Sequence, residues 1–326
     1  MVSQSIRRRG TQAFRGYGTG RGFWQSLCID VPLLFALMLL AGFGVMVLYS
    51  ASGQSESEIQ RQSMAIAIAF VVMLFVAQFD ISFIRRRAFA IYLAGCGLLV
   101  VVLFIGVETN GAKSWIDLPG IPSFQPSELA KFLVPMLLAR YLSSHSLPPT
   151  WRDLFVSAVI ILLPCGLIIM QNDTGTSLMV FMSGFFVLLL AGIRWRLVFA
   201  AVAAVAMASP AWWIFLALPH QKNRILTFFD PYRDPTGAGY NIIQSQIAIG
   251  SGGVQGKGWL NGAQSRLDFI PESNTDFILA VLAEEFGLLG VLFLIALYLA
   301  VLVRGFQIAF GAQDTYSRLL AGSIVL

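Results

Sequence analysis

The strongest constraint on this chain is its punctuation. Eight apolar runs lie at about residues 29–49, 64–79, 89–107, 129–142, 154–170, 177–192, 197–218 and 277–303, and a ninth begins near 319. Most approach the roughly 20 residues that a helix needs to cross a hydrocarbon core. Charge is correspondingly scarce: 57% of the 326 residues are hydrophobic and 12% are charged, against about 25% charged in a soluble domain. That excludes an ordinary cytosolic enzyme, a disordered chain and a disulfide scaffold. The fold class expected is an all-α polytopic membrane protein with about nine transmembrane helices. Residues 1–28 would be a basic cytoplasmic tail and 29–326 the membrane domain.

The basic residues set the orientation. The tail holds Arg7, Arg8, Arg9, Arg15 and Arg21 and no acid. The apolar run after it is too long for a signal-peptide core. With the N-terminus inside, fourteen Lys and Arg fall on the cytoplasmic side. Only Arg61 and Lys113 fall in the short outer loops. The net charge of +5 is therefore spread between spans, and no nucleic-acid patch is implied. Cys28, Cys96 and Cys165 read as small buried hydrophobes without disulfide or zinc spacing.

One polar stretch is long. Residues 219–275 form a large extracytoplasmic loop before the eighth span. A structureless loop of this length is uncommon unless it is functional. Its glycines between 250 and 262 suggest tight backbone turns near the membrane surface.

Ionisable groups in or beside spans are expensive, so they are functional candidates. Glu128 sits at a helix start after Pro126 and Ser127, and Lys131 is on the same face. The two form either a structural ion pair or part of a polar cavity. Asp276 falls at the outer boundary of the eighth span. There it is either an N-cap, with Thr275 the other choice, or a general base where water, headgroups and bilayer meet. Glu284 and Glu285 lie about two turns deeper, and at least one must face the protein interior or a wet cavity. Asp173 reads as the cap of the sixth span. His145 and His220 stand alone in loops. No Walker loop, dinucleotide signature or nucleophile elbow is present.

The motifs Tyr49-Ser50-Ala51-Ser52-Gly53, Gly111-Ala112-Lys113-Ser114-Trp115-Ile116, Gln125-Pro126-Ser127-Glu128-Leu129-Ala130-Lys131, Gln171-Asn172-Asp173-Thr174-Gly175-Thr176, Gln244-Ser245-Gln246, Gly256-Lys257-Gly258, the run 269–277 and Ala283-Glu284-Glu285-Phe286-Gly287 occur in one order. Together they resemble the SEDS family (shape, elongation, division and sporulation), more closely its RodA branch than its FtsW branch, over nearly all of 29–326. The resemblance implies a peptidoglycan glycosyltransferase of the bacterial inner membrane, active on its outer face in cell elongation and rod-shape maintenance. Lipid II and polyprenyl-pyrophosphate-linked glycan would be its substrates. A class B penicillin-binding protein and the elongation machinery would be its partners. It carries the family's essential carboxylate onto Asp276, its sensitive Trp onto Trp115, and its Glu/Lys pair onto Glu128 and Lys131. Ser114 stands where the family usually has Arg, and Lys113 would supply that charge. The family typically has ten spans, so a C-terminally shortened copy is expected.

On this reading Asp276 takes the acceptor proton in an inverting transfer. Lys113, Lys257, Arg224, Arg233 and Arg266 are candidates for the leaving pyrophosphate. Glu285 is a further substrate-site candidate. No cofactor is certain, but a divalent cation (Mg or Mn) would fit. The alternative is a flippase for lipid II or another polyprenyl-linked sugar, using a cavity with Glu128, Lys131 and Glu285. A scaffold for the partner synthase would explain the spans but not the outward carboxylate.

Overall fold

The structure is a computed structural model. It describes residues 29–109, 112–118, 121–216, 219–235, 237, 239–262 and 274–326. The elements in order are α1 (Val31–Ala51), α2 (Glu56–Ala77), α3 (Ile81–Ile105), β1 (Val107–Thr109), β2 (Ala112–Leu118), β3 (Ile121–Phe124), α4 (Pro126–Ser143), α5 (Trp151–Met170), α6 (Thr174–Leu190), α7 (Trp195–Ala211), α8 (Pro219–Phe229), α9 (Tyr240–Gly252), α10 (Ile278–Gly311) and α11 (Thr315–Val325). The chain is a polytopic helical membrane protein. Each apolar run of the sequence becomes a helix. Among the described residues six helices (α1, α2, α3, α5, α7 with its π-helical extension, and α10) are long and apolar enough to cross a membrane. At 17 residues α6 is shorter, and α4 carries Glu128, Lys131 and Arg140 within its 18.

Short polar side chains start these helices. Asp30, Asp80, Asp173 and Asp314 accept backbone N–H groups of Leu33, Ser82, Thr176 and Ser317. Thr150 and Asp153 form a reciprocal capping box on α5. Each satisfies donors that a helix start otherwise leaves without partners.

The main core joins α3, α4, α5, α6 and α11 through Tyr92, Leu99, Val134, Leu138, Leu142, Ile161, Ile168, Val180, Val187, Tyr316 and Leu319. In lipid, helices gain little from apolar burial alone, so close fit carries the association. Gly184 shows this: a Cβ there would lie 2.6 Å from Ile161 Cγ1. A second assembly, α1, α9 and α10, attaches through α11. Its end near the N-terminus is tied by a two-pronged pair, Arg304 Nε to Asp30 Oδ1 at 2.9 Å and Nη2 to Oδ2 at 2.7 Å. Neither α2 nor α7 has a buried residue.

Two features were not foreseen from sequence. The strands β1, β2 and β3 form a small antiparallel sheet, with Val107 opposite Trp115 and Ile116 opposite Phe124. The stretch 219–275 contains α8 and α9.

Candidate functional site

The long loop and the eighth span meet at a broken helix. Gly287 in α10 has φ 63° and ψ −159°, outside the helical region. The break frees backbone groups, and in a membrane protein these must find partners within the chain. Residues 253–258 supply them. Leu288 and Leu289 N–H donate to the carbonyls of Gly253 and Val254 at 3.0 and 3.1 Å. Lys257 and Gly258 N–H donate to those of Glu284 and Glu285 at 3.0 and 2.9 Å. Only glycine permits so close a strap. A Cβ on Gly256 would lie 2.1 Å from the Glu285 carbonyl oxygen, and one on Gly287 would lie 2.4 Å from Gly256 N.

Just before the break, Glu284 and Glu285 are both fully buried. Lys257 Nζ pairs with Glu284 Oε1 at 2.7 Å. Ser50 Oγ of α1 donates to Glu285 Oε1, and the backbone N–H groups of Leu260 and Gly262 also act on that carboxylate. Trp259 fastens the strap to α1, donating from Nε1 to Met46 O at 3.4 Å and packing beside Tyr49. Among the described residues these two deep acids are held by the Lys257 ammonium and by hydrogen-bond donors, as buried charge requires.

Asp276 lies in the turn before α10 and is exposed. The N-cap position of α10 falls to Phe277, with no side-chain cap. Among the described residues no hydrogen bond or ion pair reaches the Asp276 carboxylate. It is therefore not spent on capping. Beside it, Asn274 and Ile278 line a cavity of about 360 Å³ together with Ala41, Gly44, Val45 and Leu48 of α1 and Gln62 and Ile66 of α2. The cavity exists because α2 stands away from the bundle. Its wall is apolar with polar groups, Gln62 and Asn274, at intervals.

The other candidates are placed as follows. Lys131 Nζ pairs with Glu128 Oε2 at 2.7 Å, and both remain partly exposed. Lys113 Nζ donates to the carbonyls of Leu103 and Phe104, capping α3, and its backbone N–H donates to Gln171 O. Ser114 is buried and Trp115 half-buried on β2. Asp173, besides capping α6, accepts from Gln125 Nε2 at 2.8 Å and so joins α4 to α6. Arg233 is exposed. Arg266 and the side chain of Arg224 lie outside the described residues. Sequence reasoning missed Ser50 as the partner of Glu285 and Gln62 as a cavity wall. The only signal for Ser50 was its place in the motif that closes α1. Among the described residues no three His, Cys, Asp or Glu side chains gather to hold a metal.

The chain's relatives bear on this geometry. Over 304 residues, 93% of this chain and 82% of the relative, it is 45% identical to peptidoglycan glycosyltransferase MrdB of Escherichia coli strain K12. It is 34% identical to a probable peptidoglycan glycosyltransferase FtsW of Geobacter metallireducens, over 91% of this chain and 81% of that one. Among solved structures it superposes on a chain of a peptidoglycan synthase complex that coordinates polymerization and crosslinking, with TM-score 0.78 and 32% identity over 91% of this chain and 82% of that one. It also superposes on the rod shape determining protein RodA of Thermus thermophilus, with TM-score 0.66 and 27% identity over 91% and 80%. The sequence profile of the cell cycle proteins FtsW, RodA and SpoVE matches residues 31–326. A broken tenth helix strapped by a glycine-rich loop, with an uncommitted aspartate at its head, is thus built on a shared frame, and the chain belongs to the FtsW/RodA/SpoVE family.

Proposed function

We propose that this chain polymerises peptidoglycan glycan strands from lipid II, with Asp276 as the general base. The observation that carries the reading is the uncommitted carboxylate of Asp276, in the turn whose Asn274 and Ile278 line the α1/α2 cavity, in a chain 45% identical to a named peptidoglycan glycosyltransferase.

The GlcNAc 4-hydroxyl of the acceptor lipid II attacks C1 of the donor sugar from the face opposite the pyrophosphate. Asp276 takes the hydroxyl proton as the C1–O bond forms. The C1–O–P linkage breaks, the pyrophosphate leaves with the electron pair, and the anomeric configuration inverts. An activated donor needs one base, unlike the paired carboxylates of glycoside hydrolysis. The apolar wall of the cavity suits the first isoprene units of a lipid tail, and Gln62 and Asn274 suit its polar head.

Charge on the leaving group decides the barrier. Lys257, Lys131 and Lys113 are engaged by Glu284, Glu128 and the α3 carbonyls. Among the described residues that leaves Arg233 as an exposed cation of the long loop suited to the pyrophosphate. A divalent cation (Mg or Mn), where one binds, would share the neutralisation of the leaving pyrophosphate.

The arginines at the ends of α3, α4 and α10 opposite Asp276 support placing that end in the cytoplasm and Asp276 on the outer face of the inner membrane. The neighbouring synthase complex supports a class B penicillin-binding protein as the crosslinking partner.

The test is product analysis in detergent, where no bilayer exists to cross, with the partner's transpeptidase blocked. The wild-type chain is expected to make glycan strands. Asp276→Asn is expected to lose at least about 10²-fold in rate, the scale of a positioned general base, with unchanged melting. Polymerisation by that variant at the wild-type rate removes Asp276 from the role. Absence of strands from the wild-type chain favours the flippase.

A further inference from the structure

At the end of the bundle opposite Asp276, three helices bring together groups that the transfer reaction does not use. Tyr316, in the first turn of α11, is 1% exposed, and its hydroxyl has no hydrogen-bond partner among the described residues. A buried hydroxyl without a partner costs roughly 1–3 kcal/mol, so the site lacks an acceptor. The Arg85 guanidinium of α3 lies over the Tyr316 ring, 5.6 Å from its centroid. Arg140, in the last turn of α4, uses Nη1 on the Arg86 carbonyl at 2.9 Å. Its remaining donors are uncommitted. That bond sets the Arg140 guanidinium against the turn of α3 that carries Arg85. Both arginines are half-buried, and neither pairs with a carboxylate among the described residues. Asp314, the acid at the start of α11, has both its oxygens committed to Ser317.

Two guanidinium groups without a carboxylate partner among the described residues and a buried hydroxyl donor therefore gather where α3, α4 and α11 meet. We propose that Arg85, Arg140 and Tyr316 form a binding site for a phosphate group. Planar guanidinium forks match phosphate oxygens in geometry and charge. The hydroxyl supplies a third donor once the Arg85 side chain, which lies over the Tyr316 ring, swings onto the ligand. The site lies at a helix end among Arg86 and Arg87, where the headgroup of an anionic phospholipid would sit. Basic pockets between spans are suited to such headgroups. A free phosphate ion shares the chemistry and is separated from the lipid by experiment.

The purified chain in non-ionic detergent is titrated with phosphatidylglycerol and bound lipid is counted by native mass spectrometry. Diacylglycerol, which lacks the phosphate, is the parallel probe, and inorganic phosphate is the competitor. Phosphatidylglycerol is expected to bind more tightly than diacylglycerol. Its affinity should fall about tenfold in Arg140→Gln and Arg85→Gln, the loss of one charge-assisted contact. It should fall about threefold in Tyr316→Phe, the loss of one neutral hydrogen bond, and hold in Arg152→Gln, an exposed arginine elsewhere on the surface. Displacement of the lipid by millimolar phosphate, with the same dependence on the variants, assigns the site to the free ion as well. No displacement assigns it to the headgroup. Equal binding of phosphatidylglycerol by the wild type and all three site variants, or diacylglycerol bound as tightly, overturns the site. Tyr316→Phe keeps the ring and removes an atom that bonds to nothing described, so a folded variant is available even if an arginine replacement destabilises the chain.

Discussion

The two assemblies of this molecule are held by opposite means. In the α3–α6 and α11 core, helices approach through small residues and interlocking apolar side chains, and the acids stay at helix ends as caps. In the α1, α9 and α10 assembly, a span is broken at Gly287, two carboxylates are buried beside the break, and a strap of polar backbone closes it. The first arrangement tolerates small adjustments, because what touches is the ends of side chains. The second does not, because what touches is backbone. That rigidity has a use: the strap and the first turns of α10 set where Asp276 stands.

The sharpest way to break this comparison is the same substitution in both halves. Gly287→Ala forces a Cβ onto a left-handed backbone and within 2.4 Å of Gly256 N. Neither can move without unmaking the strap, so a loss of about 3–5 kcal/mol is expected. Gly184→Ala meets Ile161 side-chain atoms at 2.6 Å, which can turn aside, for about 1–2 kcal/mol. Melting midpoints in detergent rank the two. Equal losses would mean that the strap is no stiffer than ordinary packing.

Between these falls the buried ion pair. Lys257→Met takes the ammonium away from the buried Glu284 carboxylate. The expected cost is about 3 kcal/mol, the low end for a broken buried pair, because Lys257 keeps a third of its side chain exposed. Adding Glu284→Leu should recover most of it, since replacing both partners removes the broken pair. If the double variant melts as low as Lys257→Met alone, the pair is not what holds the strap.

Much of the core half was legible in sequence because its cause is local. Apolar run length makes the spans, and Asp173 marks a helix start, as read from sequence; Asp80, Thr150 and Asp314 cap in the same local way and were not read. The strap half was legible only as an anomaly. Glu284 and Glu285 were visibly wrong for a lipid-facing span, and the glycines 250–262 announced tight turns. Yet the Lys257–Glu284 contact spans 27 residues and Ser50–Glu285 spans 235, and no periodicity encodes a pairing at such range. Helix α9 hid behind its own glycines: Ile242, Ile243, Ile247 and Ile249 carry helical spacing, but the run is too short and polar to count as a span. The sheet hid because β1 has three residues and β3 four, fewer than alternation needs to declare itself. For the site, Asp276 came from the family resemblance and its position. That it escapes capping is a property of the turn geometry alone.

The smallest effect separates acids that cap from acids that are buried. Asp80 is exposed at the start of α3, and the backbone N–H and hydroxyl of Ser82 hold its carboxyl below the usual carboxylate range, with Arg86 adding to the effect. A carboxyl whose folded pKa is depressed contributes stability that is present above its unfolded value, near about 3.9, and lost as pH falls through the folded one. Fraying of the first turn of α3 should therefore increase only below about pH 4. Hydrogen exchange at Ser82 to Arg85, corrected for its intrinsic pH dependence, reads it directly. Asp80→Asn keeps an acceptor for Ser82 but cannot titrate, so its first turn should hold steady over the same range. A first turn equally pH-sensitive in Asp80→Asn would assign the effect to another group, and the packed half would then depend on charge more than its apolar core suggests.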